Sequence, residues 1–339
     1  MRNFSKIVLH SLLLIIFVVL LLGVSMSPYF YGEKYYYQDA KVRESLSGEL
    51  DTLIIGSSHA LRSVKPTVMN EELGTKAYNL SSPLMSMYGR YVLFKKEVDR
   101  NPIKTVYIEL SYNAMALDRE NLGLEGDLYL LGRLDSIAER LEFASNAFEK
   151  EDYETVFMDT IQRSTYAISN IFYNGGLEQY KTYGYLPVPS VDHTLTEERK
   201  KEILNTETLD SKFKKDNVDK LVDFIELCKE NDIRVVLFVT PINDRMILQH
   251  TNMDEVFNQY IEFAQEYDCE YYDFNLDKKR FELYDEVTSY YDITHLSDSG
   301  AEIFTTRLSE IINKVDEGKE VSKEFYDSYE QLKKAILKN

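Results

Sequence analysis

Residues 51–59 read Asp51-Thr52-Leu53-Ile54-Ile55-Gly56-Ser57-Ser58-His59: a short apolar run, a glycine, two hydroxyls and an imidazole. An unbroken apolar run of this length suits a strand covered on both faces, as in a parallel sheet. The glycine allows a sharp turn after it. A serine placed where a strand gives way to a helix finds free backbone N–H groups and the positive helix end beside it, and both can stabilise a developing oxyanion. By itself Gly56-Ser57-Ser58-His59 also suits a turn with a helix cap.

Working outward, residues 104–110 (KTVYIEL) and 233–239 (IRVVLFV, closed by Thr240-Pro241) are two more β-branched runs. Val218, Leu221, Val222, Ile225 and Cys228 recur at helical spacing before the latter. Phe257, Tyr260, Ile261 and Ala264 do so after it, ahead of a further run at 270–274. Alternation of this kind predicts an α/β sandwich with a mostly parallel sheet and right-handed crossovers. Residues 299–312 read as a helix covering one face. Between about 118 and 215 the pattern loosens into charged amphipathic pieces, read as a helical insertion. Residues 316–339 are charged and helix-prone, which predicts a solvated terminal helix.

A second short segment, Asp292-Ile293-Thr294-His295-Leu296-Ser297-Asp298-Ser299-Gly300, carries the complementary chemistry. A serine hydroxyl needs an imidazole to take its proton and a carboxylate to orient that imidazole. A DxxH spacing lets one tight loop present both. The pair of segments therefore predicts Ser58 as nucleophile, His295 as general base and Asp292 as its orienter, with His59 a candidate substrate contact. A loop whose histidine merely makes a hydrogen bond is the alternative for DITH taken alone. Gly56-Ser57-Ser58-His59-Ala60 lacks the second glycine of GxSxG, and no P-loop or GxGxxG is present. His10, His193 and His250 are isolated, with no metal-ligand spacing, so no metal is expected.

These two segments resemble the SGNH, or GDSL-like, hydrolase and acyltransferase superfamily, whose first motif follows the first strand and whose last is DxxH. More narrowly, the order of apolar N-terminal helix, IIGSSH, distant DITHLSDSG and closing helix is similar to the membrane-anchored bacterial group containing DltD and the SGNH-like partners of membrane-bound O-acyltransferases. The resemblance implies an SGNH-type three-layer α/β/α sandwich and the triad Ser58, His295, Asp292. It places Ser81 at the second motif, where a backbone N–H serves the oxyanion, and Asn113 at the third, where a side-chain amide does. Ser57 stands where many members carry aspartate. No cofactor is implied.

The apolar run from Ile7 to Met26 is long enough to span about 30 Å of hydrocarbon as a helix. Arg2 and Lys6 precede it, whereas Glu33 and Lys34 cancel after it, which predicts a cytoplasmic N-terminus and an outward-facing remainder. Tyrosines crowd into residues 28–38 (PYFYGEKYYYQ), as in an interfacial aromatic belt. The expected organisation is an anchor at 1–28, a juxtamembrane segment at 29–50, an SGNH-like domain at 51–315 and a tail at 316–339. A net charge of -18 would repel nucleic-acid phosphates, which argues against a nucleic-acid role. Cys228 and Cys269 show no CxxC or scaffold spacing and read as buried free thiols, with a disulfide between them as the alternative.

No acyl-coenzyme A or ATP is supplied outside the membrane. The activity that the resemblance implies is transfer of an acyl group, acetyl before D-alanyl, from a partner or another ester through an acyl-serine to hydroxyls of a cell-surface glycan or teichoic-type polymer. The resemblance implies a multi-spanning membrane-bound O-acyltransferase as partner. An esterase removing such groups and a non-catalytic SGNH-like scaffold subunit are the other two readings.

Overall fold

The computed structural model describes residues 6–17, 43, 45–112, 114–117, 122, 124–131, 133–134, 136–158 and 182–338. The chain divides into two compact units, one formed by 1–45 with 128–181 and the other by 46–127 with 182–339. The middle of the expected insertion thus groups with the N-terminal residues.

The larger unit is an α/β sandwich. Its elements are β1 (Thr52–Ile55), α1 (Ser58–Ser63), α2 (Pro66–Leu73), β2 (Ala77–Asn79), α3 (Met87–Val98), β3 (Thr105–Glu109), α4 (Lys215–Glu230), β4 (Arg234–Val239), α5 (Met253–Glu266), β5 (Glu270–Asp273), α6 (Asp298–Asp316) and α7 (Tyr329–Ile336), with shorter helical turns between. The five strands lie in the order β2-β1-β3-β4-β5, and every pair is parallel. All four residues of β1 are buried, as an apolar run without alternation requires. Ile54, Tyr107, Val236 and Phe238 share one core with Phe304, Leu308, Ile311 and Ile312 of α6. Successive strand residues point to opposite faces, so Leu53, Ile55, Val106, Ile108 and Leu237 face the other layer. There α3 meets α4, with Phe94 and Phe224 stacked at 4.1 Å.

Pro66 has no N–H to give and sits at the first turn of α2, which divides α1 from α2. Three residues are too few to show a period, so β2 has no counterpart in the sequence reading. The tail reading needs correction. Tyr329, Leu332 and Ile336 on one face of α7 are buried, because their spacing makes an apolar stripe under the charges. Cys228 and Cys269 are free thiols. Burial pushes both thiols up, Cys269 to about 11.

The Tyr329 hydroxyl donates to Asp273 Oδ2 at 2.7 Å where β5 ends. Burial pushes the Asp273 carboxyl up to about 6, against the pull of that hydrogen bond. Its ionised form is therefore penalised in the folded chain. The stability this group contributes is greatest below its unfolded value, about 4, and is lost as pH rises through 6. Unfolding midpoints measured in urea should fall across that window, and Asp273→Asn should flatten the slope by removing about 1–2 kcal/mol of that loss. An unchanged slope in the variant would refute this.

The smaller unit contains the helix Ile137–Ala147, which starts on a capping box between Ser136 and Glu139. Phe143 meets Phe148 edge to face at 6.0 Å, and the buried Arg43 donates to the Arg133 carbonyl at 2.8 Å. Residues 6–17 are helical, with Ile7, Leu9, Leu13 and Ile15 exposed. Among the described residues no helix is long and apolar enough to cross a membrane. The rest of the expected anchor, 18–26, and the tyrosine-rich stretch 29–37 lie outside the described residues.

Candidate active site

β1 ends beneath a point where the chain reverses its direction of travel across the sheet: β2 is laid down on one side of β1 and β3 on the other. Such switch points, at the carboxyl ends of parallel strands, open a crevice for ligands. Ser58 stands there as the first residue of α1. Its N–H has no intrahelical acceptor and lies at the positive end of the helix.

Ser57 caps α1 by accepting the His59 N–H on its hydroxyl at 3.1 Å. Its own N–H and O–H both donate to Glu109 Oε2, at 2.8 and 2.9 Å. Glu109, at the end of β3, is fully buried, and its main-chain carbonyl accepts from Arg90 Nη1 at 2.8 Å. A carboxylate from the neighbouring strand thus holds Ser57, the residue before Ser58. The arrangement also explains Gly56, since a Cβ there would lie 2.6 Å from the Glu109 Cβ and 2.9 Å from the Ala60 Cβ. Glu109→Ala leaves two Ser57 donors without an acceptor. A 10- to 100-fold fall in kcat with little change in KM is the expected result, equivalent to about 1.5–3 kcal/mol. Glu109→Gln keeps the accepting oxygen and should restore most of it. Equal losses in the two variants would sink the positioning role.

The distant DITH segment arrives on the loop between β5 and α6. His295 Nε2 lies 2.8 Å from Ser58 Oγ, and His295 Nδ1 lies 2.8 Å from Asp292 Oδ2. The Asp292 carboxylate also accepts the N–H groups of Thr294 (2.8 Å) and His295 (2.9 Å), so the DxxH turn is wrapped around it. Burial alone would raise this carboxyl. The His295 hydrogen bond and charge, together with the Thr294 donors, overcome burial and hold it well below the usual carboxylate range. Tyr290 pairs with Leu296 across the base of the loop, and the Asn243 N–H donates to the Ile293 carbonyl at 3.1 Å. Ser297 caps α6.

His59 is buried, with its ring 4.8 Å from that of His295 and edge-on to Tyr112 at 5.9 Å. Burial first, and then the neighbouring His295, push its proton affinity well below the ordinary imidazole range. A neutral ring there does not oppose a proton arriving on His295. A small cleft of about 60 Å³ adjoins Ser58 and His59, walled by Leu84, Met85, Arg90 and Ala114 among others.

The structure therefore brings Ser58, His295 and Asp292 into one hydrogen-bonded line, with His59 beside it. Ser81 needs correction as an oxyanion donor. Its N–H donates to Asn79 Oδ1 at 3.0 Å, because Asn79 folds back to give its amide to the Ala60 and Val64 carbonyls at the end of α1. The adjacent Ser82 N–H is likewise taken, by the Gly56 carbonyl at 3.2 Å. Asn113 lies outside the described residues. Sequence reasoning missed Glu109 and Arg90. The signal for Glu109 was available as a single acid inside an otherwise apolar strand run; Arg90, on a helix whose apolar pattern is weak, offered none.

No family model matches the chain, and no curated protein matches it. Among solved structures it is similar to a candidate acylhydrolase from Bacteroides fragilis NCTC 9343, at 12% identity over 81% of this chain and 94% of that one, with a TM-score of 0.38. A GDSL-like lipase from Bacteroides thetaiotaomicron VPI-5482 shows 12% identity, covering 83% of this chain and 98% of that one, with a TM-score of 0.38. An acetyl xylan esterase from the rumen bacterium Butyrivibrio proteoclasticus shows 10% identity, covering 79% of this chain and 65% of that one, with a TM-score of 0.30. At such values the likenesses are distant ones, and the chemistry of the site stands on its own distances.

Proposed function

We propose that this chain is a membrane-anchored, extracytoplasmic serine acyltransferase of the SGNH type. It moves a small acyl group, acetyl by preference, to hydroxyls of a cell-surface glycan or teichoic-type polymer. The observation that carries the reading is the 2.8 Å approach of His295 Nε2 to Ser58 Oγ, with Asp292 on the far nitrogen. His295 takes the Ser58 proton as Oγ bonds to the carbonyl carbon of the donor ester, and returns it to the departing donor oxygen. The acyl-Ser58 left behind is resolved when His295 removes the proton of an acceptor hydroxyl, whose oxygen then displaces Oγ. Ser58 recovers its proton from His295.

The small cleft beside Ser58, with Leu84, Met85 and Ala114 in its walls, favours a short acyl group over a long chain. The apolar run from Ile7 to Met26, with basic residues before it, supports the anchor and the outward orientation. With no activated acyl donor outside the cell, a multi-spanning membrane-bound O-acyltransferase is the partner that would deliver one.

Two measurements test this. The purified full chain should hydrolyse a chromogenic acetyl ester in a Ser58-dependent manner, faster than the corresponding hexanoyl ester. A strain lacking the gene should lose acyl groups from its surface polymer. A gain of acyl groups would instead establish an esterase, and acylation undiminished in a strain carrying Ser58→Ala would leave a scaffold role.

A further inference from the structure

Arg62 stands four residues after Ser58 on α1, so the two side chains rise from one helix face a turn apart. Its guanidinium carbon lies 5.1 Å from the centroid of the Tyr291 ring. Tyr291 immediately precedes Asp292, and its N–H donates to the His295 carbonyl at 2.9 Å. The cation is therefore seated over the loop that carries the base and its orienter. Arg62 Nε is buried and has no hydrogen-bond partner. Among the described residues no carboxylate pairs with this side chain.

Several arginines of the same unit are paired with acids, whereas Arg62 and Arg245 each bury an Nε that has no hydrogen-bond partner. Arg280 is held by Asp244 at 2.5 Å, Arg307 by Asp277 at 2.7 Å, and Arg234 by both Glu270 and Asp316. Carboxylates outnumber cations widely here, with a net charge of -18. Of Arg62 and Arg245, Arg62 is the one on the helix that begins with Ser58. A planar guanidinium lying against an aromatic ring keeps its edge donors in a fixed fork, the geometry that grips carboxylate or phosphate through two parallel hydrogen bonds.

We propose that Arg62 recognises an oxyanionic group, carboxylate or phosphate, on the substrate whose acyl chemistry Ser58 performs. The inference rests on the reading of Ser58 as nucleophile. It makes the substrate an anionic ester or an anionic polymer, and the acidic remainder of the surface then disfavours approach in any other orientation. Arg62 touches the substrate away from the reacting carbonyl, so its contribution falls on KM.

The test uses the full chain and two acetyl esters with closely similar leaving groups, 4-acetoxybenzoate and its neutral methyl ester. Arg62→Gln should lower kcat/KM for the anionic ester by about tenfold or more, chiefly through KM, and leave the methyl ester within about twofold. Arg62→Lys should recover part of the loss. 4-Acetoxyphenyl phosphate as a third probe ranks phosphate against carboxylate. Equal losses on charged and neutral esters would assign Arg62 to holding Tyr291 and overturn the proposal, as would no loss on either. Calorimetric binding of 4-acetoxybenzoate to Ser58→Ala, with and without Arg62→Gln, keeps the two readings apart. If wild type turns over neither ester, the nucleophile reading fails, while binding that depends on Arg62 upholds the anion site and binding indifferent to it ends the proposal.

Discussion

Ser58→Ala is expected to reduce hydrolysis of a chromogenic acetyl ester by about ten-thousand-fold, and His295→Ala by a similar factor. In the proposed mechanism Oγ bonds to the acyl carbon and His295 Nε2, 2.8 Å away, takes its proton. Residues that act as one unit lose their effect together, so the double variant should be no slower than either single one. Asp292→Asn should cost somewhat less, because it leaves the turn intact while placing the wrong tautomer on His295. Neither large loss should come from unfolding: Ser58 is at a helix start and only its hydroxyl is removed. Residual turnover above a tenth of wild type in Ser58→Ala, with the far-ultraviolet spectrum unchanged, would end the nucleophile assignment.

Gly300→Ala is expected to cost both stability and turnover. Gly300 lies in the first turn of α6, where a Cβ would fall 2.0 Å from the Ser289 carbonyl oxygen and 2.9 Å from its carbon. The obstacle is backbone, so no rotamer relieves it. Ser289 is tied into the triad loop, its own carbonyl accepting from the Ser297 N–H at 2.9 Å, and Tyr290 pairs with Leu296 at the loop base. Pushing Ser289 away therefore strains the segment that presents Asp292 and His295. A loss of about 2–3 kcal/mol in urea unfolding is expected, with a fall in kcat at temperatures where the variant is still folded. An unfolding midpoint equal to wild type would show that the approach of α6 to this loop can widen freely.

The legible part of the site was its chemistry. Ser58 follows a strand written in four consecutive apolar or β-branched letters, and DITH names its own turn, since a carboxylate three residues before a histidine can accept both the intervening N–H groups and the ring. What the letters did not reveal was the support. Glu109 is separated from Ser57 by 52 positions and meets it only because β1 and β3 are adjacent in the sheet. Ser81 stands where the resemblance puts an N–H donor, yet its N–H goes to Asn79, whose side chain is engaged with the end of α1. The buried face of α7 was hidden by the charges that surround its three apolar residues.

Local patterns in the chain were enough to point to an α/β fold and to Ser58, His295 and Asp292, the three side chains that lie in one hydrogen-bonded line. Those patterns are apolar runs that must be covered on both faces, and a four-residue turn that satisfies its own donors. Three things came only from the folded arrangement: that the Ser81 N–H is given to Asn79, that Glu109 holds Ser57, and that Arg62 stands over Tyr291 without an acid. Those outcomes depend on strand order and on competition between distant polar groups for the same partners, and neither is encoded in any one stretch of the chain.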